Sequence, residues 1–262
     1  MNSTTPVERR QWMALCAASA ATLAFSSGCA SAQSTPGFPG IPSAPASDTL
    51  SASQQAIVPI AAFAAAGDIP KLSAALNQGL DAGLSISDAR EVLVQLYAYA
   101  GFPRSLNALG ELMKVVNERK QRGLQDVPGR EPTRPIPKGD TLLAAGTANQ
   151  TRLSGAPVQG QLFDFAPVAN EYLRSHLFGD IFERDNLDWH SREVATVSML
   201  SAIVGVESQL QSHMRISLNI GLTAPQLRQL AQVLADRVDA DSARRARTAL
   251  ERQLAATNRT PS

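Results

Sequence analysis

Cysteine is almost missing from this sequence: Cys16 and Cys29 are the only two, and both fall in the first thirty residues. Once that stretch is removed, the chain has no internal disulfide, no C-x-x-C redox pair and no thiolate zinc site. Aromatic residues are scarce as well, at 5%, against 44% for apolar residues as a whole. A core rich in Ala and Leu and poor in large rings suits helix packing better than a β-sandwich. No charge sign dominates, because 24 basic residues face 23 acidic ones for a net charge of +1. A protein that tracks nucleic-acid phosphates normally carries a basic excess, so that class is excluded. Histidine occurs three times, at His176, His190 and His213, too far apart for H-x-x-x-H or H-E-x-x-H, and no metal site is expected. Phosphate-binding P-loops, G-x-G-x-x-G units and G-x-S-x-G elbows are also missing. The small basic cluster at Arg244, Arg245 and Arg247, followed by Glu251, has the composition of a solvated helix face.

What is present begins with an export signal over residues 1–32. Arg9-Arg10 precedes an uncharged apolar run at 12–25, and Ala30-Ser31-Ala32 supplies an A-x-A cleavage site. Fourteen residues are too few for a comfortable membrane span, which needs about 20. The paired arginines are compatible with twin-arginine export of a folded protein. Ser26-Ser27-Gly28-Cys29 resembles a lipoprotein box with Ser in place of its usual Leu, so Cys29 is either a lipid anchor or discarded. Both routes place the mature chain outside the cytoplasm, in the periplasm or anchored to the membrane. Residues 33–52, dense at first in Pro, Ser and Ala, read as a flexible tether.

From Leu50 onward apolar residues recur at helical spacing, and no stretch alternates with period two for long. The pattern predicts helices over 53–66, 69–82, 86–100 and 104–122, then over 163–176, 190–204, 207–220, 224–237 and 240–256. Between them, residues 125–160 carry Pro128, Pro132, Pro135 and Pro137 and read as a connector without helix. The expected architecture is all-α, with a first helical module at 53–124 and a second at 161–257. An offset of 138 superimposes Gly67 on Gly205, Leu72 on Leu210, Leu80 on Leu218, Gly83 on Gly221, Leu84 on Leu222, Ser85 on Thr223 and Arg90 on Arg228. The shared text is a helix, Leu-x-x-Gly-Leu-[Ser/Thr], and a second helix. The Gly ends one helix in the left-handed region and the hydroxyl caps the next, which points to internal duplication and a pseudo-dimer within one chain.

Arg192-Glu193, followed by His213-x-Arg215-x-x-Leu218-Asn219-x-Gly221-x-Thr223, resembles the carboxymuconolactone decarboxylase family. Gly83-Leu84-Ser85, with Glu91 and then Tyr99-Ala100-Gly101-Phe102-Pro103, resembles the downstream part of the same module. The resemblance implies an alkylhydroperoxidase D-like helical fold whose modules pair and assemble into rings, here a homotrimer of six modules. It also implies either a lyase acting on a carboxylated lactone or a thiol-dependent hydroperoxidase. The peroxidase branch needs C-x-x-C ahead of the His. Those positions are Val206 and Gln209, neither of which can form a thiolate.

His213 and Glu193 match the family's His and acidic positions. A His titrating near neutrality can move protons either way, and a carboxylate can orient its ring; the pair is therefore the candidate for acid/base catalysis. The alternative is that Glu193 complements a helix dipole and His213 is a hydrogen-bonded bundle residue. Arg215, Tyr99 and Arg104 are candidates for holding a small anionic substrate through guanidinium forks or a phenol, against salt-bridge or packing roles. The leading reading is an exported, cofactor-free lyase or isomerase acting on a small carboxylated or lactone compound. A non-catalytic envelope binding or structural protein with this fold is the alternative, and a thiol peroxidase is disfavoured by the missing cysteines.

Overall fold

In the computed structural model, residues 47–257 are described; the expected signal, Cys16, Cys29 and most of the tether lie outside them. The described residues are helical with no strand, and none of their helices is long and apolar enough to cross a membrane.

The order of elements follows from local chemistry. Helix α1 (Ala52–Ala66) opens on a capping box in which Ser51 and Gln54 bond each other's backbone N–H groups, and it closes on Gly67 at φ 79°. Helix α2 (Ile69–Asp81) is capped by Asp68, and α3 (Ile86–Gln95) by Ser85. Helix α4 (Tyr97–Gln121) bends sharply at Gly101, whose φ of 81° and ψ of 160° are not helical. The second run repeats this grammar. Helix α8 (Trp189–Ala202) is capped by Asp188, α9 (Glu207–Asn219) follows Gly205, α10 (Ala224–Arg237) starts on a Thr223–Gln226 capping box, and α11 (Ala240–Thr257) ends the described chain. Each such cap contributes about 1 kcal/mol.

The stretch expected to lack helix is a correction. Its proline-bearing part stays irregular, but Asp140–Ser154 forms a fifteen-residue helix, α5. The prolines end at Pro137, and composition averaged over the stretch concealed the helical residues beyond it. Nor is the irregular part free. Ile86 and Ser87 donate backbone N–H groups to the Val127 and Pro128 carbonyls, the Ser87 hydroxyl donates to the Arg130 carbonyl at 2.6 Å, and Thr133 bonds Asp185. The helix expected at 163–176 is likewise broken into α6 (Gln161–Phe165), α7 (Pro167–Tyr172) and a π-helical segment at Leu173–Ile181. Helix α5 lies so close to that segment that a Cβ on Gly146 would stand 1.8 Å from the Arg174 carbonyl oxygen.

The two four-helix runs share one compact unit and one main core. Helices α1 and α8 pack together at its centre. Both are buried nearly all round, Ala56–Ala65 and Ser191–Ser201 without interruption, as expected of helices enclosed by others. Alanines on α1 allow the close approach. A smaller cluster of Leu153, Leu177, Phe178, Ile181, Phe182, Ile216 and Ile220 joins α5 and the π-helical segment to the outer face of α9.

One charged network ties the two runs together inside this core. The Arg192 guanidinium on α8 has no exposed surface; it donates to Glu91 at 3.2 Å, Gln95 at 3.2 Å and the Arg184 carbonyl at 3.0 Å. Arg184 adds a two-pronged contact to the same Glu91 carboxylate at 2.8 and 2.6 Å. Burial by itself raises the pKa of Glu91, but Arg184, the Asn186 amide and the Arg192 charge together outweigh it and hold the carboxyl below its ordinary value. A depressed native pKa stabilises the fold above the unfolded-state pKa, and that contribution is lost as pH falls through the carboxylate range. Glu91→Gln is therefore expected to cost about 3–5 kcal/mol at neutral pH by leaving Arg192 unpaired, and to flatten the acid limb of stability. Urea melts of both proteins from neutral to acidic pH check this; parallel acid limbs would remove Glu91 as their cause.

Candidate functional site

Glu193 follows Arg192, and the 100° step per residue sends the two charged side chains of α8 to different partners. Arg192 turns to the Glu91 network. Glu193 turns to α9, where its Oε2 lies 2.8 Å from His213 Nδ1. Helices α8 and α9 are successive and joined through Gly205 at φ 86°, which brings residues twenty apart in sequence side by side. Both side chains are enclosed, Glu193 completely and His213 to 9% exposure. An ionised Glu193 has no hydrogen to give, so Nδ1–H donates to it and Nε2 is left with its lone pair outward from the pair. No hydrogen bond engages Nε2 among the described residues, and the pair is otherwise held by the helix: Ser217 donates to the His213 carbonyl at 2.7 Å.

Tyr99, from the other run, completes the group. Its ring meets the imidazole edge to face, with centroids 5.5 Å apart at 79°. It bridges the two hydrophobic clusters, packing against both. Two oxygens here have no hydrogen-bond partner although buried: the Tyr99 hydroxyl and Glu193 Oε1. Burial and then the Glu193 charge push the phenol pKa well above its ordinary value, against the opposing pull of Thr196 and Arg192. Tyr99 is therefore a neutral hydrogen-bond donor at any working pH. Thr196 itself accepts from Gln95 at 2.7 Å and donates to the Arg192 carbonyl at 3.0 Å, which connects the Tyr99 environment to the Glu91 network.

Of the five residues singled out from sequence, three come together: Glu193, His213 and Tyr99. The two arginines do not join them. Arg215 lies two residues past His213, about 200° around α9; it is exposed and makes no hydrogen bond or ion pair among the described residues. Arg104 is exposed too, and lies over the end of α1, its Nε 3.8 Å from where a Cβ on Gly67 would be. Sequence reasoning missed Gln95 and Arg184 and gave Glu91 no structural role. The readable signal was Glu91 and Gln95 at i and i+4, two polar residues on the apolar face of α3.

Val206 and Gln209 sit at the start of α9, Val206 as its N-cap residue without a side-chain cap bond. Neither offers a thiolate. Among the described residues no group of three His, Cys, Asp or Glu side chains is arranged to hold a metal ion. Cavities open among the described residues. One of about 730 Å³ runs along α5 beside Arg174, and one of about 320 Å³ lies between α8, α9 and α11. Neither is lined by Glu193 or His213.

Residues 167–252 match the model of the carboxymuconolactone decarboxylase family. The matched stretch includes Glu193 and His213. No curated protein matches the chain. The family match takes in α8, α9, α10 and most of α11, whereas Tyr99, Glu91 and Gln95 reach the matched segment from outside it.

Tyr99→Phe is expected to leave stability unchanged within about 1 kcal/mol, or to raise it, because the hydroxyl removed has no partner to lose. Thermal unfolding checks this; a loss above about 2 kcal/mol would reveal a hydrogen bond that holds the phenol.

Proposed function

We propose that the protein is an exported, carboxymuconolactone decarboxylase-like enzyme that moves a proton on a small carboxylated or lactone compound, as a lyase or isomerase without a cofactor. The observation that carries this reading is the buried 2.8 Å contact between Glu193 and His213 Nδ1, beside a phenol whose hydroxyl, like Glu193 Oε1, has no hydrogen-bond partner. Glu193 fixes the imidazole tautomer and stabilises its charged form. Nε2 takes a proton from the substrate carbon next to a carboxyl or carbonyl group and returns it at another position. The Tyr99 hydroxyl donates to the oxygen on which charge develops, a role worth about 10²–10³ in rate at comparable sites.

The chain is proposed to be a tandem of two such modules. In support, α1–α4 and α8–α11 follow one another in the same order, Ser85 and Thr223 cap corresponding helices, and Gly67, Gly83, Gly205 and Gly221 all have positive φ. At the offset of 138 residues, Glu193 and His213 correspond to Gln55 and Ala75. Gln55 instead donates to the Leu50 carbonyl at 2.9 Å. One proton-transfer pair per chain is the consequence.

A second reading, a non-catalytic envelope binding or structural protein, draws on the fact that neither cavity is lined by the pair. Glu193→Gln and His213→Asn separate the two in a panel of lactones and carboxylated keto acids. The catalytic reading expects both to lose at least a hundredfold in kcat/KM while remaining folded by circular dichroism; turnover unchanged in both would remove them from the mechanism. With Val206 and Gln209 in place of thiols, no turnover of hydroperoxide with a dithiol donor is expected.

Export through the leader, with Cys29 either lipidated or lost, remains part of the proposal, as does a homotrimer of six modules. Phe102, Leu106 and Met113 support assembly: they line one face of α4 and are each at least 60% exposed, an apolar stripe of the kind that neighbouring subunits cover. Light scattering of the mature chain at micromolar concentration is expected to give three times the chain mass, and a monomer would refute the assembly.

A further inference from the structure

The 320 Å³ cleft between the end of α8, the first turns of α9 and one face of α11 has the chemistry of a ligand site separate from the Glu193–His213 pair. Arg245, Thr248 and Arg252 recur at helical spacing along α11, with Arg244 beside them, so all four face the cleft. Three guanidiniums therefore meet one lining carboxylate, Glu207, whose Oε1 is already taken by the Gly205 N–H at 3.3 Å.

Two of these arginines are fixed in place. Arg245 Nε donates to the Ser201 carbonyl at 2.7 Å and its Nη2 to the Ser242 hydroxyl at 3.2 Å, while Arg244 bonds Asp241 at 2.8 Å. Each guanidinium has five N–H donors, so both retain donors beyond these bonds. Arg252, Gln211 and Thr248 also line the cleft and make no hydrogen bond or ion pair among the described residues. The cleft thus gathers donors in excess of acceptors. Its remaining wall, Val204, Leu210 and Ala249, is apolar, and Val204 is 77% exposed. The volume falls at the small end of the range for small-molecule sites, about 300–1,000 Å³.

We infer that this cleft binds a small organic carboxylate with an apolar body. The carboxylate is held by the forks of Arg252 and Arg245, with Gln211 and Thr248 bonding further oxygens. The body lies on Val204, Leu210 and Ala249. A bare inorganic anion satisfies the arginines but leaves that wall in water. The inference goes beyond the proton-transfer reading and does not depend on it, since the cleft includes neither residue of the pair.

Calorimetric titration of the full chain with benzoate, with inorganic phosphate as the counter-probe, tests it. Saturable benzoate binding is expected, at least tenfold tighter than phosphate. Arg252→Gln is expected to weaken it at least tenfold, and Arg252→Lys to restore only part, because an ammonium cannot make the two-pronged contact. Arg252 is exposed and holds nothing in place, so these variants fold. His213→Asn is expected to bind benzoate as the parent does. Absence of benzoate binding, phosphate binding as tightly, or affinity unchanged by Arg252→Gln would overturn the inference. So would loss of binding in His213→Asn, which would move the ligand to the proton-transfer pair and leave that reading standing.

Discussion

A guanidinium with no exposed surface is tenable only where acceptors surround it, and Arg192 draws its three acceptors from two parts of the chain. Glu91 and Gln95 come from α3, and the Arg184 carbonyl comes from the segment before α8. Because Glu91 is also gripped by Arg184, the arrangement fixes the rotation of α8 about its own axis. Everything that faces α9 follows from that rotation. Glu193, the next residue, is aimed at His213 by the same helix turn that buries Arg192, and Tyr99 is set against the imidazole from the run that carries Glu91. A buried ion pair of this kind contributes little net stability over a well-packed apolar substitute. Its effect here is to specify how the two runs meet.

That specification explains the mixture of order and incompleteness around His213. Backbone groups are satisfied by helix geometry and caps, and Arg192, Gln95 and Thr196 form a closed chain of hydrogen bonds. The Tyr99 hydroxyl and Glu193 Oε1 are buried without partners beside His213, as are Asn186 Oδ1 and Arg192 Nε in the neighbouring network. Leaving such groups unpaired is costly, of order 1–3 kcal/mol each, and sites where chemistry occurs are where folded proteins retain such costs. The cleft on α11 shows the opposite imbalance, donors in excess of acceptors, and at the surface, where the cost of waiting for a ligand is small.

Much of the fold was legible because helices announce themselves locally. Ser51, Asp68, Ser85, Asp188 and Thr223 each cap a helix where a side-chain oxygen precedes an apolar period, and Gly67, Gly83 and Gly221 end or follow helices with positive φ. Helix α5 was concealed by proline-rich neighbours, and the expected 163–176 helix breaks at Ala166, where Pro167 disfavours helical geometry in the residue ahead of it. The pairing of Glu193 with His213 rested on a motif. The failure of Arg215 and Arg104 to join them is a matter of helix phase and of which surface each covers, and a residue's charge alone does not carry that information.

By itself the sequence determined the all-helical class, the position of most helix ends, the absence of thiols at Val206 and Gln209, and the likeness of residues 167–252 to the carboxymuconolactone decarboxylase family. These depend on near neighbours or on residue identity. Tertiary structure alone decided that Glu91 and Gln95 serve Arg192, that Tyr99 stands over His213 with an unpartnered hydroxyl, and that an arginine face with the look of a solvated surface encloses a cleft. Each of these joins residues from different helices. Their meeting depends on how α1, α8 and the surrounding helices rotate to bury their apolar faces while leaving no buried charge alone.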